Sequence, residues 1–392
     1  MRIAIVGAGI GGLAAAASLQ RAGHDVSVFE QASAIGEVGA GIQLSPNATR
    51  LLARLGLGPA LAAVAVRPEA IEQRRWADGA VLSRVELGDT VEQAFGAPYL
   101  HVHRADLVDV LARAVTASAV RTGARVESVD PDGTVSIEGA GAEHFDVVVG
   151  ADGIHSVVRR SLVGDGPAQF SGHVAYRALV PGDAVRALGW PALATAWLGP
   201  GAHVVHYYLR AGEIHNIVAI HEDPTWTTES WTTPGDPDVL RTAFADWAPA
   251  VRDLLALVER THRWALHDRA PLPMWSRGRA TLLGDACHPM LPYVAQGGAQ
   301  AIEDAAALAT VLAGVDPVDA PDALLRYEAA RRDRTTNVQA SARANAVTFH
   351  LPDGEDQRRR DAAMAAANDT DPRRSRVAWL YGHDAAVVSP GA

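Results

Sequence analysis

The chain has 392 residues, 48% of them hydrophobic, and a formal net charge of -10. That composition is globular and too long for one simple core, so two interwoven domains are expected. Every cation is arginine, no basic tract reaches five residues and no apolar run approaches about 18, which argues against a nucleic-acid surface or a membrane span. A single cysteine, Cys287, excludes an intramolecular disulfide framework.

The chain opens directly into a strand, residues 2–6, with no basic leader or cleavage site, so a cytoplasmic location is expected. Gly7-Ala8-Gly9-Ile10-Gly11-Gly12 follows, then a helical run, then a strand DVSVFE that ends at Glu30. This is GxGxxG between strand and helix, with an acid at the end of the second strand. Gly7 permits the tight turn, Gly9 a close pyrophosphate, and Gly12 close helix–strand packing. The helix N-terminus offers free N–H groups to phosphate, and Glu30 offers acceptors to a ribose diol. The motif fits a dinucleotide; by itself it does not separate FAD from NAD.

The next stretch runs from Gln31 through Gly36, Gly39, Gly41 and Gln43 before Ser45-Pro46-Asn47 starts a helix. A long glycine-rich excursion suits an extended cofactor passing through. His103-Arg104 then precedes a helix of period three to four; Arg104 suits a phosphate or flavin edge, or is a surface arginine. A buried strand ends in Gly150-Ala151-Asp152-Gly153, and a short helix follows with Arg159 and Arg160. Another strand, ATLLG, delivers Asp285 to the same carboxyl edge, and Gln296-Gly297-Gly298 opens the helix after it.

These stretches resemble the class A flavoprotein monooxygenases of the para-hydroxybenzoate hydroxylase fold. GAGIGG with Glu30, GADGIHSVVR, and GRATLLGDACHPMLP with QGGAQAIEDA stand in family order, from residue 1 to about 345. The tail WLYGHDA, 379–385, is similar to endings in the salicylate and 3-hydroxybenzoate hydroxylase branch. The resemblance implies an α/β fold: a Rossmann-type FAD-binding domain (1–71, 99–165 and 278–350) interwoven with a smaller, mostly antiparallel substrate domain (72–98 and 166–277), plus a C-terminal helical tail (351–392). It implies FAD, with NADH or NADPH as co-substrate, and no separate nicotinamide domain. Asp285 is then expected at the ribityl chain, Asp152 at FAD and the nicotinamide cofactor, Arg104 near FAD, Val126 at the adenine end, and Gly298 amides at the flavin ring.

Cys287-His288 raises three readings: a thiol–imidazole pair, a metal site, or neither. A nucleophilic cysteine needs a base held by a third group, and zinc needs three or four convergent ligands. No such spacing surrounds Cys287, which is expected to be structural; no metal is expected.

Residues 166–277 alternate in the manner of a strand-rich sheet, and 72–98 are expected to add strands. In HVVHYYLRAGEIHNIVA, His203, Val205 and Tyr207 share one face; Val204, His206 and Tyr208 share the other. His203 and Tyr207 either pack on the sheet or face a cavity. The stretch resembles that of 3-hydroxybenzoate 6-hydroxylases and 6-hydroxynicotinate 3-monooxygenases, where matching positions handle the substrate hydroxyl. His203 is therefore expected to be the base, with Tyr207 orienting or relaying. Gln296 is expected in the substrate-facing loop, Pro292 beside the flavin, and Tyr99 and Tyr293 in the pocket. Gln43 and Tyr293 stand where the 6-hydroxynicotinate enzymes carry histidine, which counts against a pyridine substrate. Arg177 either meets a carboxylate or is structural.

The implied reaction is NAD(P)H- and O2-dependent hydroxylation of a small hydroxylated aromatic acid, 3-hydroxybenzoate- or salicylate-like, through a flavin C4a-hydroperoxide. Two other readings stand beside it: tailoring of a larger phenolic, quinolone or polycyclic product, and a non-catalytic flavin-binding redox sensor. Residues 323–350 read as a long amphipathic helix whose arginines form a solvated face, and 356–368 as another helix. The alanine-rich C-terminal helices offer a surface for a homodimer.

Overall fold

The computed structural model describes residues 1–36, 40–164, 166–226, 233–367 and 371–388; Gly39 of the glycine-rich loop lies outside them. A five-stranded parallel sheet forms the first layer. Its order is Ala280–Leu282, Val147–Gly150, Arg2–Val6, Asp25–Glu30, Val120–Thr122. The central strands are continuous apolar runs because both faces of the sheet are covered, by helices and by the three-stranded sheet Val126–Val129, Thr134–Ile137 and Gly141–His144, which shares its core. Helices Ile10–Arg21, Arg104–Ala114 and Gly297–Leu312 share one hydrophobic core with it.

The second layer is an eight-stranded sheet whose central strands are Gln169–Pro181, Ile214–Glu222, Ala202–Leu209 and Ala194–Gly199. Ala70–Arg75 and Val81–Glu86 close one edge, so part of 72–98 does add strands; Gly88–Phe95 is a helix. Every pairing is antiparallel except Ala194–Gly199 with Ala70–Arg75. Strand alternation does the positioning here. Val204 and Tyr208 pack toward helices Pro237–Ala243 and Pro249–Ala256, while His203, Val205 and Tyr207 face the other way, into a cavity between the layers.

Helix Ala320–Phe349 runs 30 residues, and Glu355–Ala366 follows. The expectation that the arginines of the long helix are solvated fails at Arg331. It is 1% exposed and bonds Glu303 Oε2 at 2.6 Å and Asp304 Oδ1 at 2.8 Å. Its partners sit on helix Gly297–Leu312, so its burial is decided across two helices and not by its own period. Among the described residues no helix is long and apolar enough to cross a membrane.

Candidate active site

A cavity of about 740 Å³ lies between the two sheets, within the range of pockets that enclose small ligands. One end is built at the carboxyl edge of the parallel sheet. Gly7 has φ +104, and its N–H donates to Phe29 O at 2.8 Å. Gly12 packs so tightly on this turn that a Cβ there would lie 2.0 Å from Gly7 O. The helix starting at Ile10 thereby presents its N-terminus, with Gly9 and Gly11, to the cavity.

Glu30 and Gln31 line the same end. The Glu30 carboxylate accepts from Ala8 N–H and Ala32 N–H, both at 2.8 Å, and so pins the glycine turn to the second strand. Val126 closes that end. Asp152 is on the wall, but its oxygens accept from the Ser156 hydroxyl and the Val157 and Val158 amides, so much of its capacity caps the helix Val157–Val163. Burial raises its carboxyl above the ordinary value despite those bonds.

Midway, Gly41, Gln43, Arg104, Asp285 and Gly298 converge. Asp285 is open to the cavity and crowded by protein on its other sides. That crowding raises its carboxyl, and the nearby Arg104 guanidinium opposes the rise. A Cβ at Gly298 would lie 2.6 Å from Ile42 Cδ1, so only glycine leaves this wall as it stands.

This donor set fits FAD. Free amides at a helix N-terminus and a cationic Arg104 suit the phosphates, Asp285 suits polyol hydroxyls, and Glu30 retains lone pairs for a ribose.

The far end is lined by Arg177, His203, Val205, Tyr207, Val218, Ile220 and Pro292. The Arg177 guanidinium lies 3.9 Å from the centre of the Trp264 ring. Tyr207 is raised by burial, and Arg177 is near enough to oppose the rise. Its ring rests on His101, centroids 4.4 Å apart. His203 Nδ1 shares a 2.8 Å hydrogen bond with His350 Nε2, which leaves Nε2 for a group in the cavity. The ordinary histidine pKa does not apply here. Burial first, then His350 and His173, push His203 well below it, so the ring is neutral at pH 7.

Three expected site residues have their polar groups committed elsewhere. Gln296 reaches the wall, but its Oε1 accepts from Asn47 and Gln300, both at 3.1 Å, and its Nε2 donates to Ser45 Oγ at 2.8 Å. Tyr99 stands behind the wall and donates to Gln43 Oε1 at 2.6 Å. Tyr293 also stands behind it, its hydroxyl 2.6 Å from His173 Nδ1 and its ring 5.0 Å from that of His203.

Beneath the Gln296 turn lies a buried ionic knot. Burial alone would raise both acids, yet Arg331 and Arg334 hold Glu303 at about 2, while His288 and Arg331 hold Asp304 at about 2. This settles the Cys287-His288 question. His288 Nε2 is 2.6 Å from Asp304 Oδ2, the same oxygen that takes Gly284 N–H at 2.9 Å. Cys287 is fully buried, and burial pushes its thiol up; the pair is structural, not a nucleophile and its base.

The family model described as "FAD binding domain" matches residues 1–342. The chain belongs to the FAD-dependent aromatic-ring monooxygenases. It is 46% identical to a 3-amino-4-hydroxybenzoate 2-monooxygenase of Streptomyces platensis, over 99% of this chain and 97% of the relative. It is 38% identical to a 3-hydroxybenzoate 6-hydroxylase of Polaromonas naphthalenivorans, over 97% and 95%. A salicylate hydroxylase structure, described as a substrate complex, superposes with a TM-score of 0.84 at 28% identity, covering 100% of this chain and 99% of that one. Monooxygenases of this family use FAD, with NAD(P)H as co-substrate.

Sequence reasoning missed the apolar walls Val218 and Ile220 and the His350 partner of His203. The alternation of IHNIVAIHE, Ile214–Glu222, carried a signal for the first two; nothing local carried one for the third.

Proposed function

We propose that this monooxygenase hydroxylates the ring of a small hydroxybenzoate, with an amino-substituted acid such as 3-amino-4-hydroxybenzoate and simple hydroxybenzoates as the first compounds to test. The observation that carries the reading is the far end of the cavity. It pairs one guanidinium, Arg177, with an imidazole and a phenol, His203 and Tyr207, between the apolar walls Val205, Val218 and Ile220. Arg177 binds the carboxylate, the apolar side chains grip the ring, and His203 Nε2 accepts the hydrogen bond of the substrate hydroxyl. Electron release from that hydroxyl makes the ring a better nucleophile.

Gly9, Gly11, Arg104, Asp285 and Gly298 hold the cofactor in this reading. When bound and reduced, FAD supplies the activation of O2. His203 draws on the substrate O–H from its neutral form, and Tyr207 orients the ring from further along the strand. Gln296 acts by holding the turn between Pro292 and the helix at Gly297, since its amide is bonded to Ser45, Asn47 and Gln300. Tyr293 supports His203 from behind, and Tyr99 fixes Gln43.

The test is NAD(P)H consumption by FAD-loaded protein with 3-amino-4-hydroxybenzoate, 3-hydroxybenzoate, salicylate and larger phenols, with product and H2O2 measured together. Stoichiometric hydroxylation of a benzoate supports the reading. Turnover only of carboxylate-free polycyclic phenols sinks it, and substrate-independent H2O2 alone points to a redox sensor.

A further inference from the structure

Behind His203 lies a cluster whose members do not line the cavity. His173 of strand Gln169–Pro181, Glu222 at the end of strand Ile214–Glu222, and His350 just past the long helix converge there. One ligand-capable atom of each lies within 4.8 Å of the other two. His350 Nδ1 is 3.5 Å from Glu222 Oε1. His350 is only 4% exposed, and that Nδ1 is buried with no hydrogen-bond partner. A buried polar atom without a partner is costly, so a ligand for it is to be looked for.

The opposite nitrogens are occupied. His173 Nδ1 shares a hydrogen bond with the Tyr293 hydroxyl at 2.6 Å, and His350 Nε2 shares one with His203 Nδ1 at 2.8 Å. Each ring is thus gripped on its far side and left with one nitrogen for the cluster. Metal-ligating histidines are held in this way, by a partner on the second nitrogen that fixes ring orientation and tautomer. Glu222 is exposed and reaches the cluster from the solvent side, which gives an ion a way in.

We infer that His173, Glu222 and His350 form a binding site for a divalent transition metal of the zinc class, with remaining positions for water, and that its occupancy acts on His203. Two imidazoles and one carboxylate are a donor set that zinc accepts. The link to His203 is a matter of where one proton sits, and it alone rests on His203 being the acceptor for the substrate hydroxyl. A metal on Nδ1 leaves the His350 ring proton on Nε2, which must then donate to His203 Nδ1. The proton of neutral His203 is thereby placed on Nε2, facing the cavity as a donor. Without metal the pair is free to take the reverse arrangement, in which His203 Nε2 accepts. Metal binding therefore turns the acceptor into a donor and slows hydroxylation.

The test is equilibrium dialysis of untagged, FAD-loaded protein against Zn2+, with metal quantified, for wild type, Glu222→Gln and His173→Gln. One equivalent in wild type and at least tenfold weaker binding in both variants, at unchanged FAD content, support the site. No saturable equivalent, or equal binding in the variants, overturns it. Glu222 is a surface side chain, so its variant decides the matter even where His173→Gln fails to fold. Turnover is then followed with Zn2+. Inhibition at the concentration that fills the site, reversed by chelator and weakened in Glu222→Gln, supports the link to His203; a filled site with unaltered turnover overturns it. Failure of every aromatic acid to turn over would sink the hydroxylase reading and leave the dialysis result standing.

Discussion

Arg177→Met asks whether the guanidinium in the cavity wall reads a substrate carboxylate. The guanidinium sits over Trp264, 3.9 Å from its ring centre, so the fork is held in place before any ligand arrives. A methionine keeps an apolar stem against the ring and removes the charge. One charge-assisted pair is worth about 1.5–3 kcal/mol. At about 1.4 kcal/mol per factor of ten, kcat/KM for a hydroxybenzoate falls about 10- to 150-fold. The same ring without its carboxylate, for instance 2-aminophenol against 3-amino-4-hydroxybenzoate, should change less than about threefold, because it never used the charge. Both substrates are assayed by product formation, and the thermal midpoint of the variant is compared with wild type. An equal loss on both compounds would refute the carboxylate role and leave Arg177 as a structural arginine stacked on Trp264.

His203→Gln should retain FAD but lose hydroxylation by about 10²–10⁴-fold, with NAD(P)H oxidation continuing as H2O2 release; undiminished coupling would remove His203 from the reaction. The buried acids Glu303 and Asp304 are both held at about 2, below their ordinary values, so they stabilise the fold above about pH 4.5. That contribution, on the order of a few kcal/mol, is lost as pH falls through about 2, so urea midpoints should drop steeply over this window and more gently in Arg331→Met, which is itself less stable at pH 7. Cys287 is fully buried with its thiol pushed up, so native protein should resist iodoacetamide and label only on unfolding; rapid native labelling would contradict the structural role.

The glycine-turn end of the cavity was legible because its determinants are local. Gly7, Gly12 and Glu30 sit within one strand–turn–helix–strand unit, and the sterics that demand glycine act inside that unit. The face shared by His203, Val205 and Tyr207 was equally legible, since strand alternation needs no knowledge of the partner. The rest depends on contacts far apart in the chain. His203 and His350 are separated by 147 residues, and Gln296 is tied to Ser45 across 251. Arg331 looks like a surface residue on its own helix because the acids that bury it lie on another. Side chains such as Tyr99, Gln296 and Tyr293 carry the right chemistry for a pocket, yet which way each spends its hydrogen bonds is set by neighbours that no local pattern names.

The burial of His203 constrains how it can act, and the pH profile exposes the constraint. A histidine near its ordinary pKa would impose an acid limb on kcat/KM close to pH 6.5, where the imidazolium begins to form. Burial, with His350 and His173 beside it, lowers this ring well below that value. The neutral form is the acceptor, and it is lost only as pH falls through the lowered pKa. The His203 contribution should therefore stay flat from pH 8 down past 6. In the proposed reaction, because the imidazolium is so disfavoured, the ring would not store a proton between turnovers; it would polarise the substrate O–H, with His350 setting which nitrogen carries the hydrogen. An acid limb near 6.5 that vanishes in His203→Gln would show a well-solvated, freely titrating histidine, and the argument from burial would fall with it.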